Sequence, residues 1–346
     1  MKILGGEENF FGIDLGSSGV RVVQLKNTHG KPSLLTYGDI ATPPNLINSD
    51  SAIDQEKMAE IVRRIASEAG VSARNVVAAL PTSSVFTTTI KTPRLSPDEL
   101  NNAIRLQADK YIPMPIDQVK LDWVILNENE ANNEMDVFLV AAPISVANKY
   151  LNIIQKAGYE LLALETNSLA LIRSLVSEAS NNVVIIDFGA SATDITVVSN
   201  HTPRLIRSVN IGARALIRVA SQNLGLDETQ AIQFITKFGL TQDKLEGQVY
   251  KSIKPVIDNI VEEINKSIEF IKNSNATVVI EKLIMTGGLT GLPELPVYLA
   301  NATGLTVEIG NPWVNISYPA NLQDKLNTIS LSYAAAIGLA MRREGE

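Results

Sequence analysis

Residues 183–198, VVIIDFGASATDITVV, decide how this chain is read. Four apolar residues run straight into Asp187, residues 188–191 form a bend of mostly small side chains, and Thr193 opens a second β-rich segment. Val and Ile runs bounded by such a turn predict the two strands of a hairpin, the first of them fully buried. Gly189 has no Cβ, so the backbone there can approach a ligand closely. A carboxylate at the end of a buried strand is costly without a partner, and Asp187 therefore marks a binding position.

The pattern occurs twice. Residues 11–25, FGIDLGSSGVRVVQL, align with it at an offset of 173 residues, half the chain: Ile13 on Ile186, Asp14 on Asp187, Gly16 on Gly189, Ser18 on Ser191. A single Asp-x-Gly is uninformative. Two copies, each following an apolar strand, preceding a second strand and opening one half of the chain, predict a duplicated architecture.

The 346 residues, 45% of them hydrophobic, suffice for two cores. The absence of cysteine excludes disulfides and thiolate metal sites and fits a reducing compartment. A formal charge of −7 without a dense Lys/Arg run argues against a nucleic-acid backbone as the main ligand. The first ten residues carry one Lys and no long apolar core, and no run of about 18 apolar residues exists, so neither a signal peptide nor a membrane span is expected and the chain reads as cytoplasmic. His29 and His201 lie in polar, turn-like sequence and read as solvated loop residues.

Residues 1–9 read as a loose end. After the first hairpin, a strand over 32–42, a helix over 54–69 and a strand over 76–80 continue an α/β pattern. The helix carries Met58, Ile61, Val62, Ile65 and Ala69 at helical spacing and Gly70 as its C′ residue. Residues 85–91 read as extended. Ser96 caps a helix running to about 111, with Pro97 in the first helical position and Glu99 three residues after the cap. With strands over 119–127 and 135–142, a helix over 144–157 and a strand over 161–164, residues 96–163 read as an inserted αββαβ subdomain. The chain thus divides into 1–164 and 165–346. The second half begins with a helix from Glu165 to 176 and continues from its hairpin into helices over 213–224, 228–238 and 248–272. A strand over 283–286 ends at Gly287-Gly288, and a helix over 293–303 and a strand over 306–309 follow. The last helix, 328–342, is rich in Ala and Gly, which either permits close packing between the domains or merely favours helix.

This order of parts resembles the actin-like nucleotide-binding fold of actin, the DnaK-type chaperones, sugar kinases and FtsA. That fold is α/β, with ribonuclease H-like duplicated domains and an insert in the first, and the resemblance spans about 11–342. Within it, IDLGSSGVRVVQL, LQADKYIPMPIDQVKLDW, DFGASATDITVV, EEINKSIEFI and TGGLTGLPELPVYL are similar to the PilM family of type IV pilus assembly proteins, the stretch 107–123 being the most discriminating. The amphipathic membrane-binding helix that usually ends FtsA has no counterpart after residue 342.

The resemblance implies ATP with Mg²⁺. Gly16, Ser17, Ser18 and Gly19 would cradle the phosphates from one side and Gly189, Ala190, Ser191 and Thr193 from the other. Asp14 and Asp187 would hold the metal largely through water. Gly287, Gly288 and Leu289 would flank adenine and ribose, and Gly212 would lie near ribose or phosphates. Glu263 and Lys266, one helical turn apart, would reach the nucleoside or else form an ordinary exposed salt bridge. Glu165 stands where chaperone relatives position the attacking water; the alternative is a carboxylate stabilised by the helix dipole. Ala190 and Ser191 replace glycines of the vigorous ATPases, so the Cβ at 190 should crowd the γ-phosphate and turnover should be slow or negligible. The family role is a scaffold at the inner membrane that captures the cytoplasmic N-terminal tail of PilN in a groove beside the insert, with 85–91 and 100–111 as candidate groove residues. Other readings are an FtsA-like filament former, the actin-like component of a type II secretion platform, and a sugar-kinase-like phosphotransferase, for which no catalytic base can be located.

Overall fold

The computed structural model describes residues 9–26, 31–44, 46–130, 132–180, 182–274 and 278–343. The expected loose end (residues 1–8) and the turn around His29 lie outside them. The first half opens with β1 (Phe10–Leu15), β2 (Gly19–Lys26) and β3 (Ser33–Ala41), an antiparallel meander. Helix α1 (Ala52–Glu68) follows, its first turn capped by the Ser51 hydroxyl accepting from the Asp54 N–H, and leads to β4 (Asn75–Leu80). Next come β5 (Phe86–Pro93), α2 (Pro97–Gln107), β6 (Val119–Asn129), β7 (Glu134–Pro143), α3 (Ile144–Lys156), β8 (Glu160–Thr166) and α4 (Asn167–Leu175). The second half repeats the meander as β9 (Asn182–Phe188), β10 (Thr193–Ser199) and β11 (Thr202–Val209). Three helices, α5 (Ala213–Leu224), α6 (Glu228–Phe238) and α7 (Gln248–Ser274), separate it from β12 (Lys282–Gly287), α8 (Leu295–Thr303), β13 (Thr306–Ile309) and α9 (Gln323–Ala340).

Two five-stranded sheets result, ordered β3-β2-β1-β4-β8 and β11-β10-β9-β12-β13. Strand for strand they are the same: an antiparallel hairpin pair, then two parallel additions. The duplication in sequence is a duplication in space. The β10–β11 turn places Asn200 and His201 at positive φ, the geometry of a tight hairpin turn, with both side chains in solvent.

The insert is present, with different edges from those expected. The third sheet runs β5-β7-β6, with β5 antiparallel to β7 from Phe86 opposite Ala141 to Pro93 opposite Glu134. It is therefore a βαββ unit over 86–143, not an αββαβ unit over 96–163. Burial decides the boundary. Ile90 shares a core with Leu100, Ile104, Val137 and Leu139, whereas Tyr150, Ile153 and Ile154 of α3 pack on Met58, Val62 and Ile65 of α1, and β8 pairs with β4.

Helices α4 and α9 lie between the two sheets and pack on both. Leu171 and Ile172 of α4 pack on Val183, Ile185 and Ile284 of the second sheet. Tyr333, Ala336, Ile337 and Ala340 of α9 pack on Val23 and Leu25 of the first. The Ala/Gly stripe serves close approach: a Cβ on Gly338 would collide with the backbone carbonyl of Ala170, and one on Gly12 of β1 would stand 2.6 Å from the Ala340 nitrogen. α9 also starts five residues earlier than the helix expected over 328–342.

Candidate functional site

The two Asp-x-Gly turns face each other across a cleft enclosing a cavity of about 380 Å³. Asp14, Gly16, Ser17 and Ser18 line it from the first half, and Asp187, Gly189, Ala190 and Ser191 from the second. Gly287 and Gly288 close one side, and the loop after β4, with Thr82 and Ser83, closes another. Each turn holds its shape by its own backbone: the Gly16 N–H donates to the Gly19 carbonyl at 3.0 Å and the Gly189 N–H to the Ala192 carbonyl at 2.9 Å. Gly287 takes φ +88°, and a Cβ there would stand 2.5 Å from the Phe188 oxygen and 2.6 Å from Asp187 Oδ1. Only glycine fits beneath the carboxylate.

The turns also touch each other. Ser191 Oγ donates to Ser17 Oγ at 3.4 Å, and Arg214, in the first turn of α5, donates to the Ser17 carbonyl at 3.0 Å and to Ser191 Oγ at 3.3 Å.

Strand register sets the electrostatics. Asp14 stands opposite Arg21, and its Oδ2 lies 3.5 Å from Arg21 Nη1. Asp187 stands opposite Asp194. Burial raises Asp14, and the Arg21 charge and hydrogen bond oppose the rise. Asp187 is pushed up to about 7, first by burial and then by the charges of Asp194 and Asp14; the Asn167 amide, donating to Oδ2 at 3.0 Å, opposes it. Burial raises Asp194 too, against hydrogen bonds from Ser208 and Thr82. All three carboxylates keep an open side toward the cleft. Three polar atoms of lining residues are buried without a protein partner: Tyr150 Oη, Asn167 Oδ1 and Arg21 Nε. Such groups are costly to leave unpaired, so the cleft suits a polar ligand.

The family model of the type IV pilus assembly protein PilM matches residues 12–344. This chain belongs to the PilM family. A solved PilM-PilN type IV pilus biogenesis complex resembles it at TM-score 0.84 and 24% identity, over 96% of this chain and 98% of that one. The ethanolamine utilization protein EutJ from Carboxydothermus hydrogenoformans matches at TM-score 0.59 and 14% identity, over 98% and 90%. MreB 5 of Spiroplasma citri bound to AMPPNP matches at TM-score 0.56 and 12% identity, over 96% and 95%. The fold is that of the actin-like ATPases, as the sequence implied. Among the described residues no helix is long and apolar enough to cross a membrane.

In this PilM-family chain the structure gathers Asp14, Gly16, Ser17, Ser18, Asp187, Gly189, Ala190, Ser191, Gly287 and Gly288 around one cavity. Others expected there lie elsewhere. The Thr193 side chain is buried, its hydroxyl donating to the Ile211 carbonyl at 2.7 Å. Gly212 lies under the second turn, where a Cβ would meet the Gly189 oxygen at 2.6 Å; Gly19 likewise backs onto the Ile40 carbonyl. Leu289 belongs to the second-half core. Glu263 and Lys266 sit on α7 and are not among the cavity-lining residues; Lys266 pairs with Glu262 and Glu263, and Glu263 with Arg207. Glu165 is not at a helix start: it ends β8, Thr166 caps α4, and Arg173 grips both of its carboxylate oxygens at 2.9 and 3.1 Å. The bidentate ion pair ties α4 down and keeps Glu165 off the cavity wall. Of the expected groove residues, Leu100 and Ile104 are buried in the third sheet's own core, and the Thr87 and Thr89 hydroxyls of β5 meet carbonyls of β11.

Sequence reading missed Arg21, Tyr150, Asn167, Asp194 and Arg214. For two of them a signal existed. Asp14 to Arg21 and Asp187 to Asp194 share a seven-residue spacing, which places each pair opposite across a hairpin.

Proposed function

We propose that this chain is an ATP-binding scaffold of the type IV pilus inner-membrane platform. Its two domains, divided near residue 164, close on a magnesium-bound nucleotide, and a PilN-like membrane protein docks its N-terminal tail on the insert side. The observation that carries the nucleotide reading is the meeting of both acidic turns around one cavity that also holds unpartnered buried polar atoms. The donor set suits magnesium held through water: Asp14, Asp187 and Asp194 are hard oxygen ligands, and among the described residues no three such groups cluster tightly enough to grip a metal directly. When bound, the metal offsets the phosphate charge. The turns supply N–H and hydroxyl groups, and Gly287 and Gly288 leave room for the nucleoside. The likeness in fold to MreB 5 bound to AMPPNP supports a nucleotide as the ligand.

Turnover is slow or absent on this reading. Glu165 is committed to Arg173, and Ala190 carries a Cβ in the second turn. The chain then works as a cytoplasmic, membrane-peripheral scaffold rather than as a motor. The likeness to a PilM-PilN complex supports the partner, and the insert presents exposed apolar side chains, Leu106 on α2 and Val124 on β6, for an extended apolar tail. The reading is tested by calorimetry of ATP and Mg²⁺ into the purified chain, then of a PilN-tail peptide into the nucleotide complex. Saturable binding in both steps is expected. No heat with nucleotide removes the first claim, and no heat with peptide removes the second.

A further inference from the structure

The unpartnered buried atoms of the cleft are of two kinds, and the kinds divide between the halves. The first half contributes donors. Tyr150 of α3 lines the cavity and is 1% exposed, yet its hydroxyl has no protein partner. Arg21 holds Nη1 3.5 Å from Asp14 Oδ2 and leaves Nε buried and unpaired. The second half contributes an acceptor. The Asn167 amide donates to Asp187 Oδ2 at 3.0 Å, which leaves its own Oδ1 buried without a donor. Turning that amide would set Oδ1 against the Asp187 carboxylate. Asp187 and Asp194, opposite one another across the hairpin, line the cavity on the same side. The first-half wall therefore lacks acceptors, and the second-half wall lacks donors or a cation.

We propose that these atoms orient the ligand: the phosphate chain lies toward the first-half wall, where Tyr150 donates to it, and the hydrated cation lies toward the second-half wall, where Asn167 accepts from its water shell. This deepens the nucleotide reading above and rests on it. Phosphate oxygens are charged acceptors, and a bond from a hydroxyl to such an acceptor is stronger than one between neutral groups. Arg21 stands beside Asp14, so an anion near Tyr150 does not meet a lone carboxylate. Magnesium keeps several of its waters, and those waters are donors. Asn167 Oδ1, Asp187 and Asp194 offer them acceptors on one side of the cleft. The reverse placement would set phosphate against acceptors and leave the Tyr150 hydroxyl and Arg21 Nε unsatisfied, which is unfavourable for each group. Tyr150 is thus a binding residue for the anion, and Asn167 a binding residue for the cation.

The test is calorimetric titration of ATP, at a series of Mg²⁺ concentrations, into the wild-type chain, Tyr150→Phe and Asn167→Ala. Tyr150→Phe should weaken ATP by about tenfold at saturating Mg²⁺ and move the Mg²⁺ concentration of half-maximal effect by less than about twofold. Asn167→Ala should raise that Mg²⁺ concentration by about fivefold and weaken ATP at saturating Mg²⁺ by less than about twofold. The crossed pattern, equal losses in both variants, or no loss in either overturns the proposal while leaving the cleft reading intact. If the wild-type chain does not bind ATP, the cleft reading falls and the proposal with it. Thermal melts of the free variants add a readout that a structural role would move the other way. Deleting an unpaired hydroxyl should leave the melting temperature of Tyr150→Phe unchanged or raised, and a clear fall means that the hydroxyl already has a partner, which overturns its assignment. Should Asn167→Ala fail to fold, the same Mg²⁺ series on Asn167→Ser decides.

Discussion

The two hairpin turns share a fold and differ in charge. Across the first sheet Asp14, Arg21 and Asp39 stand in register, an alternation of signs that places a cation between the two carboxylates. Across the second, Asp187, Asp194 and Ser208 stand in the same places, and two like charges lie side by side. Like charges opposite one another on a sheet are destabilising. On the proposed function, a cation entering the cleft would relieve that cost. Duplication supplied the backbone twice, and the cross-strand residue seven positions on gave the halves different tasks.

The largest test of this asymmetry is steric. Gly287→Ala should cost about 3 kcal/mol in urea melts, from a strained φ and a clash under Asp187, whereas Gly16→Ala, with ordinary φ, should cost visibly less. Equal costs would mean that the second turn is not the more tightly built.

Next is ligand linkage. Mg²⁺-ATP at about a hundred times its dissociation constant should stabilise the wild-type chain by about 2.7 kcal/mol. Asp187→Asn should abolish that gain, while Asp14→Asn keeps part of it. A full rise in melting temperature with nucleotide in Asp187→Asn contradicts the assignment of the cation to the second half.

The third test is pH. Asp187 ionises near 7 in the folded chain and near 3.8 when unfolded, so the native state holds the extra proton between those values. Stability from this group is therefore present below the unfolded pKa and lost as pH rises through the folded one. With the cleft open to water, the loss should amount to about 2 kcal/mol between about pH 4 and pH 8. Denaturant melts of the free protein should show it, and Asp187→Asn should flatten the slope relative to wild type. The smallest effect belongs to Arg21→Gln, which should cost about 1 kcal/mol and steepen the same slope by leaving Asp14 without its partner. An unchanged slope would show that Arg21 does not neutralise the first turn.

The turns were legible because strand alternation and a repeated Asp-x-Gly survive in one dimension. Asp14, Asp187 and the Gly287-Gly288 pair needed only the strand they end. Residues that reach the cavity or its turns from elsewhere were not legible: Tyr150 arrives at the cavity on α3, Arg214 bridges the Ser17 and Ser191 turns from α5, and neither sits in a recognisable pattern. Glu165 was misplaced through a helix start that falls two residues later, at Asn167, and through an arginine eight residues on that is visible as a partner only once α4 is built. The insert moved because β5 resembles any short β-branched run; its membership in the third sheet is fixed by pairing with β7, more than forty residues away.

The helix layer shared by the two halves bears on how the chain is made. The first sheet leaves the ribosome early, yet the helix that covers Val23 and Leu25 is α9, an 18-residue segment at the end of the described chain. α4 contributes Ala170 to the packing on Phe10, Val77 and Ala79, while the α9 contacts on Val23 and Leu25 join residues about three hundred positions apart and form only once both sheets have been made. α4 and α9 pack on each other and on both sheets, so neither sheet keeps its whole covering layer without the other half.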